Sequence, residues 1–200
     1  MVFHARGGRR GRYAGPVSSS DEVLAAARAV VRRVGLAAMT LSAVAAQAGI
    51  SRATMYRRFA SRDALIAALV AAELDALEQM VVARVRFGDQ PRETIGMLVR
   101  EVLDYNATNA ALQAALRIDG AALLPWLIRH DDQPTLVDVV TARALAHIAD
   151  SELARHLRPT PEAAVEFLVS AVYAELLSPG RQVSHAQLAA YLTDAVCRPD

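Results

Sequence analysis

Between Leu41 and Phe59 the chain reads LSAVAAQAGISRATMYRRF, and that spacing admits few folds. Val44, Ala45 and Ala48 fall on one side of a short helix, and Ala45 is small enough for a second helix to cross close by. Gly49, four residues on, suits the left-handed conformation of a tight inter-helix turn. Ile50 anchors the turn in the core, and Met55 and Phe59 anchor the next helix at i, i+4. Thr40 or Ser42 can cap the first helix and Ser51 the second. This is the spacing of a helix-turn-helix.

The second helix has a distinctive outward face. At about 100° per residue, Met55 and Phe59 point inward while Ala53 and Arg57 point almost directly away, flanked by Thr54 and Tyr56. That face is small, hydroxylated and basic, without the acids of a general solvated surface. Small residues let a helix sit deep in a major groove. There Thr54 can bond a base edge or phosphate, the Ala53 methyl can meet a thymine methyl, and Arg57 can reach guanine or phosphate. The Tyr56 hydroxyl and Arg62, which opens the next helix, suit the phosphate backbone. The expected DNA-contacting set is Thr40, Ser51, Arg52, Ala53, Thr54, Tyr56, Arg57 and Arg62.

Charge is distributed to match. Residues 1–62 hold eleven arginines against two acids, Asp21 and Glu22, for a net of +9. Residues 63–200 hold eleven arginines against nineteen acids, for a net of −8. A basic module that meets a polyanion is joined to an acidic body that does not. Arg6, Arg9, Arg10 and Arg12 lie among glycines in residues 1–18, which read as a flexible basic arm. Two readings of the arm stay open: a segment along a phosphate backbone or minor groove, and a solubilising tail.

Punctuation along the rest of the chain predicts helices throughout. Ser19 and Glu22 form a capping box, followed by an apolar stripe through Val34 and a stop at Gly35. Ser61 caps a long helix to about Arg86, and Pro91 suits the first turn of another. Further helices are expected over about 91–108, 111–119, 121–130, 134–157, 161–178 and 184–196. No stretch shows clean period-two alternation, so the fold class is all-α with about nine helices. Residues 19–65 form the helix-turn-helix domain and 66–200 a helical body.

Several function classes lose support. No apolar run approaches the roughly 18 residues of a membrane span, and no secretory h-region follows the N-terminal arginines. Cys197 is the single cysteine, which removes intramolecular disulfides and cysteine-built zinc sites. No nucleophile elbow, HExxH motif or phosphate loop occurs. The expectation is a cytoplasmic, non-enzymatic protein without a metal, a cofactor or a membrane partner.

Thr40-Leu41, Val44-Ala45, Ala48-Gly49-Ile50-Ser51, Ala53-Thr54-Met55-Tyr56, Phe59 and Ser61-Arg62-Asp63-Ala64-Leu65 together resemble the signature of TetR-type (tetracycline-repressor-like) transcriptional regulators. The resemblance covers about residues 20–70. Three departures stand out: Ala53 in place of a frequent glycine, Arg57-Arg58 where aromatics or histidine are common, and Arg62 for the usual lysine. The resemblance implies a homodimer with one basic head per subunit, bound to a palindromic operator on double-stranded DNA. It also implies a four-helix bundle made by the last two long helices and their symmetry mates. A central pocket for a small apolar or amphipathic ligand would, when filled, reset the spacing of the heads and release DNA.

The body offers candidates for both roles. Residues 161–178 are apolar around much of the helix, and 184–196 continue the pattern, so each needs a second burying partner. Phe167, Leu168, Val172, Leu188, Tyr191 and Leu192 are the candidate subunit interface, with an ordinary intramolecular core as the other reading. Polar or aromatic residues set in apolar helices, namely Tyr105, Asn109, Trp126, His147, Phe167 and Tyr173, are the candidate pocket. Two alternatives remain at this level. One is a regulator of the same fold controlled by a protein partner or by no ligand. The other is a helical ligand-binding protein with a vestigial head.

Overall fold

The computed structural model describes residues 19–85, 90–129 and 134–198. Hydroxyl caps set the helices of the head. In α1 (Ser20–Val34) the Ser19 hydroxyl accepts from the Glu22 amide at 3.2 Å, and the Glu22 carboxylate accepts from the Ser19 amide at 2.7 Å. Thr40 caps α2 (Leu41–Gln47), Ser51 caps α3 (Arg52–Arg58) and Ser61 caps α4 (Arg62–Arg84). Each cap satisfies an amide that has no partner within its own helix. Between α2 and α3, Gly49 takes φ +67° and the Ile50 amide donates to the Ala45 carbonyl at 3.0 Å. The glycine turn and its inward anchors are as the spacing predicts.

The body continues with α5 (Pro91–Thr108) and α6 (Ala110–Asp119), a 3₁₀ turn (Gly120–Leu123) and α7 (Leu124–Leu127). Then come α8 (Leu136–Ile148), α9 (Glu152–His156), α10 (Pro161–Leu177) and α11 (His185–Val196). The fold is all-helical as expected, but two long helices are broken. The helix expected over 121–130 becomes the 3₁₀ turn and the single turn of α7, since Pro125 has no amide hydrogen to give the Ala121 carbonyl. The helix expected over 134–157 stops at Ile148. There the Ser151 amide and hydroxyl both donate to the Ile148 carbonyl, at 2.9 and 2.7 Å, taking the acceptor that would have carried the helix on.

Two apolar clusters organise the chain. The head cluster packs Val23, Ala27, Val30 and Val31 of α1 against Met39, Val44, Ala45, Met55 and Leu65. It reaches past residue 65 to Ile66 and Leu69 of α4 and takes in Ala115 of α6. The body cluster joins α5 to α10 and α11 through Val99, Leu103, Val165, Leu168, Ala189, Leu192 and Val196. The C-terminal segment is pinned by the Arg158 amide on the Val196 carbonyl at 2.8 Å and the Arg198 amide on the His156 carbonyl at 3.0 Å.

Head and body meet at residues 35–39. Gly35 has φ +82° and ψ 175°, a region essentially reserved for glycine. A Cβ there would lie 2.6 Å from Ile118 Cγ2 and 2.9 Å from Asp119 Oδ2. The Asp119 carboxylate at the end of α6 accepts from the Leu36 amide at 3.3 Å and from the Ala37 amide. The same loop is gripped from its other side by Arg62 of α4, whose guanidinium donates to its carbonyls. A carboxylate from α6 and a guanidinium from α4 therefore hold one loop of the head.

Candidate nucleic-acid interface and ligand cavity

Helix α3 stands on the head with Met55 fully buried beneath it and Phe59 and Ile50 packed against the same core. Its opposite face is open. Arg52, Ala53, Tyr56 and Arg57 are exposed, with Tyr56 at 55 %. Arg52, Tyr56 and Arg57 have no hydrogen-bond or ion-pair partner among the described residues. Thr54 is half-buried, its hydroxyl 2.9 Å from the Ser51 hydroxyl, whose oxygen also accepts from the Thr54 amide at 3.1 Å. Thr40 is exposed, and its hydroxyl accepts from the Ala43 amide at 3.1 Å. Ser51 and Thr40 are thus helix caps on the surface the expected set defines. Arg58 turns away to the start of α1, donating to the Ser19 carbonyl at 3.3 Å.

Arg62 has a different occupation from the phosphate contact expected of it. Its Nε donates to the Met39 carbonyl at 3.0 Å, and Nη2 donates to the Leu36 and Ala37 carbonyls at 2.7 and 3.2 Å. A planar fork of donors meets three convergent carbonyls, and a lysine lacks that geometry. Arg62 positions the loop between α1 and α2. The arm arginines, Arg6, Arg9, Arg10 and Arg12, lie outside the described residues.

A cavity of about 530 Å³ lies in the body between α4, α5, α6, α8 and α10. Its walls are mostly leucine and valine, among them Leu69, Leu77, Val102, Leu112, Val140 and Val169. Four of the six expected pocket residues line it: Tyr105, Asn109, His147 and Tyr173. The other two do not. Trp126 packs against the head cluster, and Phe167 is 49 % exposed on the outer side of α10. Aromatic character in an apolar helix does not tell which flank of the helix faces inward.

The charged groups at the cavity wall are already partnered. Glu73 of α4 accepts from Arg28 Nε of α1 and from Asn109 Nδ2 at 2.9 Å. Asn109 Oδ1 in turn caps α6 through the Ala111 and Leu112 amides, both at 3.1 Å. Burial and then the Glu73 carboxylate push the Tyr105 phenol above its ordinary value, against the opposing hydrogen bond from Asn109. Further along α4, Glu78 meets His147 Nε2 at 2.6 Å and Arg143 Nη1 at 3.3 Å, and Arg143 also holds Asp75 at 2.6 Å. The Tyr173 side chain is not held in this way. Burial alone pushes its phenol up to about 12, and its hydroxyl has no hydrogen-bond partner among the described residues.

Sequence reasoning missed Glu73, Arg28, Glu78 and Arg143. One signal was available: Glu73 sits in the apolar stripe of Ile66, Leu69, Val70 and Leu77, where an acid needs a partner. The candidate interface set divides. Phe167 and Tyr191 are exposed, Tyr191 at 62 %, together with Ala163, Ala174, Leu177 and Ala190 on the outer sides of α10 and α11. Leu168, Val172 and Leu192 are buried in the subunit's own core, with half-buried Leu188 against it. Those four pack within the subunit, because α5 and α8 cover the inner sides of α10 and α11.

No helix among the described residues is long and apolar enough to cross a membrane. Residues 23–69 match the family described as bacterial regulatory proteins, tetR family. Among solved structures, the chain resembles AlkX of Dietzia sp. strain DQ12-45-1b, a TetR family repressor implicated in biodegradation of n-alkanes. That likeness has TM-score 0.63 at 20 % identity, over 92 % of this chain and 94 % of the other. It also resembles the flavonoid-responsive regulator FrrA, with TM-score 0.59 at 22 % identity over 88 % and 96 % of the two chains. SmeT, the repressor of the Stenotrophomonas maltophilia multidrug efflux pump SmeDEF, gives TM-score 0.57 at 20 % identity over 90 % and 91 %. No curated protein is significantly similar. The match over 23–69 is to the TetR type, and these solved structures share its fold over 88–92 % of the chain.

Proposed function

We propose that this TetR-type chain is a ligand-released transcriptional repressor that binds a palindromic operator as a homodimer. The observation that carries the DNA-binding reading is the open face of α3. Arg52, Tyr56 and Arg57 have no partner there among the described residues, whereas five body arginines, Arg84, Arg92, Arg129, Arg143 and Arg155, end on carboxylates. Unpaired guanidinium groups on a rigidly packed helix are available to phosphates and to guanine edges, and Ala53 leaves room for close approach to the groove floor. Two such heads related by a two-fold axis would read half-sites about 34–36 Å apart. The exposed stripe of Ala163, Phe167, Ala174 and Leu177 on α10, with Ala190 and Tyr191 on α11, supports the self-complementary interface this requires.

Ligand control follows from where the cavity lies. Helix α4 lines it and begins at Arg62, which grips the loop of residues 36–39. Helix α6 lines it through Leu112 and Leu116 and ends at Asp119, which grips the same loop. An occupant that shifts either wall acts on the loop that orients α2 and α3. The likeness to a flavonoid-responsive regulator and to an efflux-pump repressor supports a small hydrophobic effector.

The test is selection of bound duplexes from a random pool by the purified protein, with sedimentation to give its oligomeric state. A palindromic consensus bound by a dimer is expected, with affinity falling steeply as salt rises. A dimer that binds no duplex better than random DNA at physiological salt ends the repressor reading.

A further inference from the structure

We infer that the cavity takes an uncharged, mainly apolar molecule carrying a hydrogen-bonding group, which the Tyr173 hydroxyl receives. This rests on the reading of the cavity as the effector site. Its basis is the state of the charged groups on the wall and of the Tyr173 hydroxyl. Both oxygens of Glu73 are occupied, by Arg28 and Asn109, and both oxygens of Glu78 are occupied, by His147 and Arg143. A cationic ligand would have to displace a guanidinium or an amide already in place. An anionic ligand would bring its charge beside Glu73 and Glu78 with Arg143 already shared between Asp75 and Glu78. Either charge would also leave water for a wall that is otherwise leucine and valine, at a cost of several kcal/mol for an unpaired ion. A neutral body meets no such penalty.

The Tyr173 phenol supplies orientation. It lines the cavity from α10, and burial raises it to about 12, so it stays a protonated donor throughout the physiological range. A carbonyl, ether or alcohol oxygen brought to it satisfies a cavity-lining hydroxyl that has no partner among the described residues. The chemical class is therefore a neutral lipid-like or terpenoid-like alcohol, ketone or ester, as opposed to a fatty acid or an amine.

The experiment uses the full chain free of DNA. N-phenyl-1-naphthylamine, itself neutral and apolar, reports occupancy by fluorescence, and dodecane, 1-dodecanol, dodecanoate and dodecylammonium compete with it. Dodecanol is expected to displace the reporter at least tenfold more effectively than either charged analogue. Tyr173→Phe should weaken dodecanol roughly three- to tenfold and leave dodecane unchanged, since one hydrogen bond is lost and the cavity keeps its shape. A reporter that does not bind, a series that does not displace it, a charged analogue equal to dodecanol, or a Tyr173→Phe variant with unaltered dodecanol affinity each overturns the inference. Binding is read without operator. A protein that prefers dodecanol but keeps its DNA therefore refutes release alone, and one released by a carboxylate refutes the ligand class alone.

Discussion

Replacing Arg62 separates two roles that an arginine at the start of α4 can play. As a phosphate contact it would contribute to DNA affinity and nothing to folding. As a clamp it would contribute to folding first. The structure puts its Nε and Nη2 on the carbonyls of Leu36, Ala37 and Met39 at 2.7–3.2 Å, with the side chain 38 % exposed. A charged donor to a carbonyl contributes about 1.5–3 kcal/mol when buried and less where water can substitute. The Leu36 and Met39 bonds are part-buried and the Ala37 bond is exposed, so Arg62→Ala should cost about 2–3 kcal/mol in all. For a chain of this length that lowers Tm by roughly 5–10 °C. Arg62→Lys is the discriminating variant. A point ammonium keeps the charge but cannot span three carbonyls, so it should forfeit at least half of that stability. Thermal unfolding by circular dichroism measures the first quantity, and the salt dependence of operator binding measures the second. A clamp leaves the slope of log affinity against log salt unchanged in the lysine variant. A lost phosphate contact in the alanine variant flattens it by about 0.9 per contact. If both variants melt within about 1 °C of the wild type while the alanine variant flattens the slope, the clamp is refuted.

Further consequences are open to measurement. Arg57→Ala should relax base preference in duplex selection, while Arg52→Ala should weaken all duplexes more nearly alike. Gly35→Ala forces a Cβ to 2.6 Å from Ile118 in a backbone region that disfavours it, and should destabilise by about 2–4 kcal/mol, read as a fall in the urea midpoint. Phe167→Glu together with Tyr191→Glu places charge on the exposed sides of α10 and α11 and should yield monomers in sedimentation, with helicity kept. Tyr173, held up to about 12 by burial, binds its proton more tightly folded than unfolded. The stability this contributes is complete below the ordinary tyrosine value near 10 and is lost as pH rises from there through about 12. Tyrosinate absorbance should therefore show a last-titrating component that Tyr173→Phe removes.

What the sequence made legible and what it hid divide along contact range. Caps act over three residues, so Ser19 with Glu22, Thr40, Ser51 and Ser61 declare their helices in the local text, and the structure places each hydroxyl on its amide. The turn at Gly49 and the buried Met55 are equally local. Helix breaks are harder, because the stop after Ile148 depends on Ser151 winning a carbonyl over the continuing ladder, a contest decided by small energies. Partners far apart in sequence leave no such trace. Arg62 at the head of a helix looks the same whether it faces a phosphate or the Leu36 carbonyl twenty-six residues earlier, and only the packed loop decides. Likewise Phe167 and Leu168 are neighbours of similar hydropathy, yet one is half exposed and the other buried, because α5 and α8 approach α10 from one side.

The same distinction explains why the exposed face of α3 was easier to find than the cavity. A reading face is recognised by what a single short helix leaves outside, which periodicity reports directly. A cavity is the space that five helices fail to fill, and its chemistry lies in which wall groups remain unpaired once distant partners have been assigned. Glu73 in an apolar stripe announces a partner without naming Arg28, which lies forty-five residues before it. Tyr173 announces nothing until the charged groups on the wall have been matched to their distant partners and its hydroxyl has not. The head is thus specified by local chemistry on a rigid support. The cavity's chemistry is a remainder, fixed by long-range pairing, and changes at Glu73, Glu78, Arg143 or Tyr173 would alter its wall while the exposed face of α3 stays as it is.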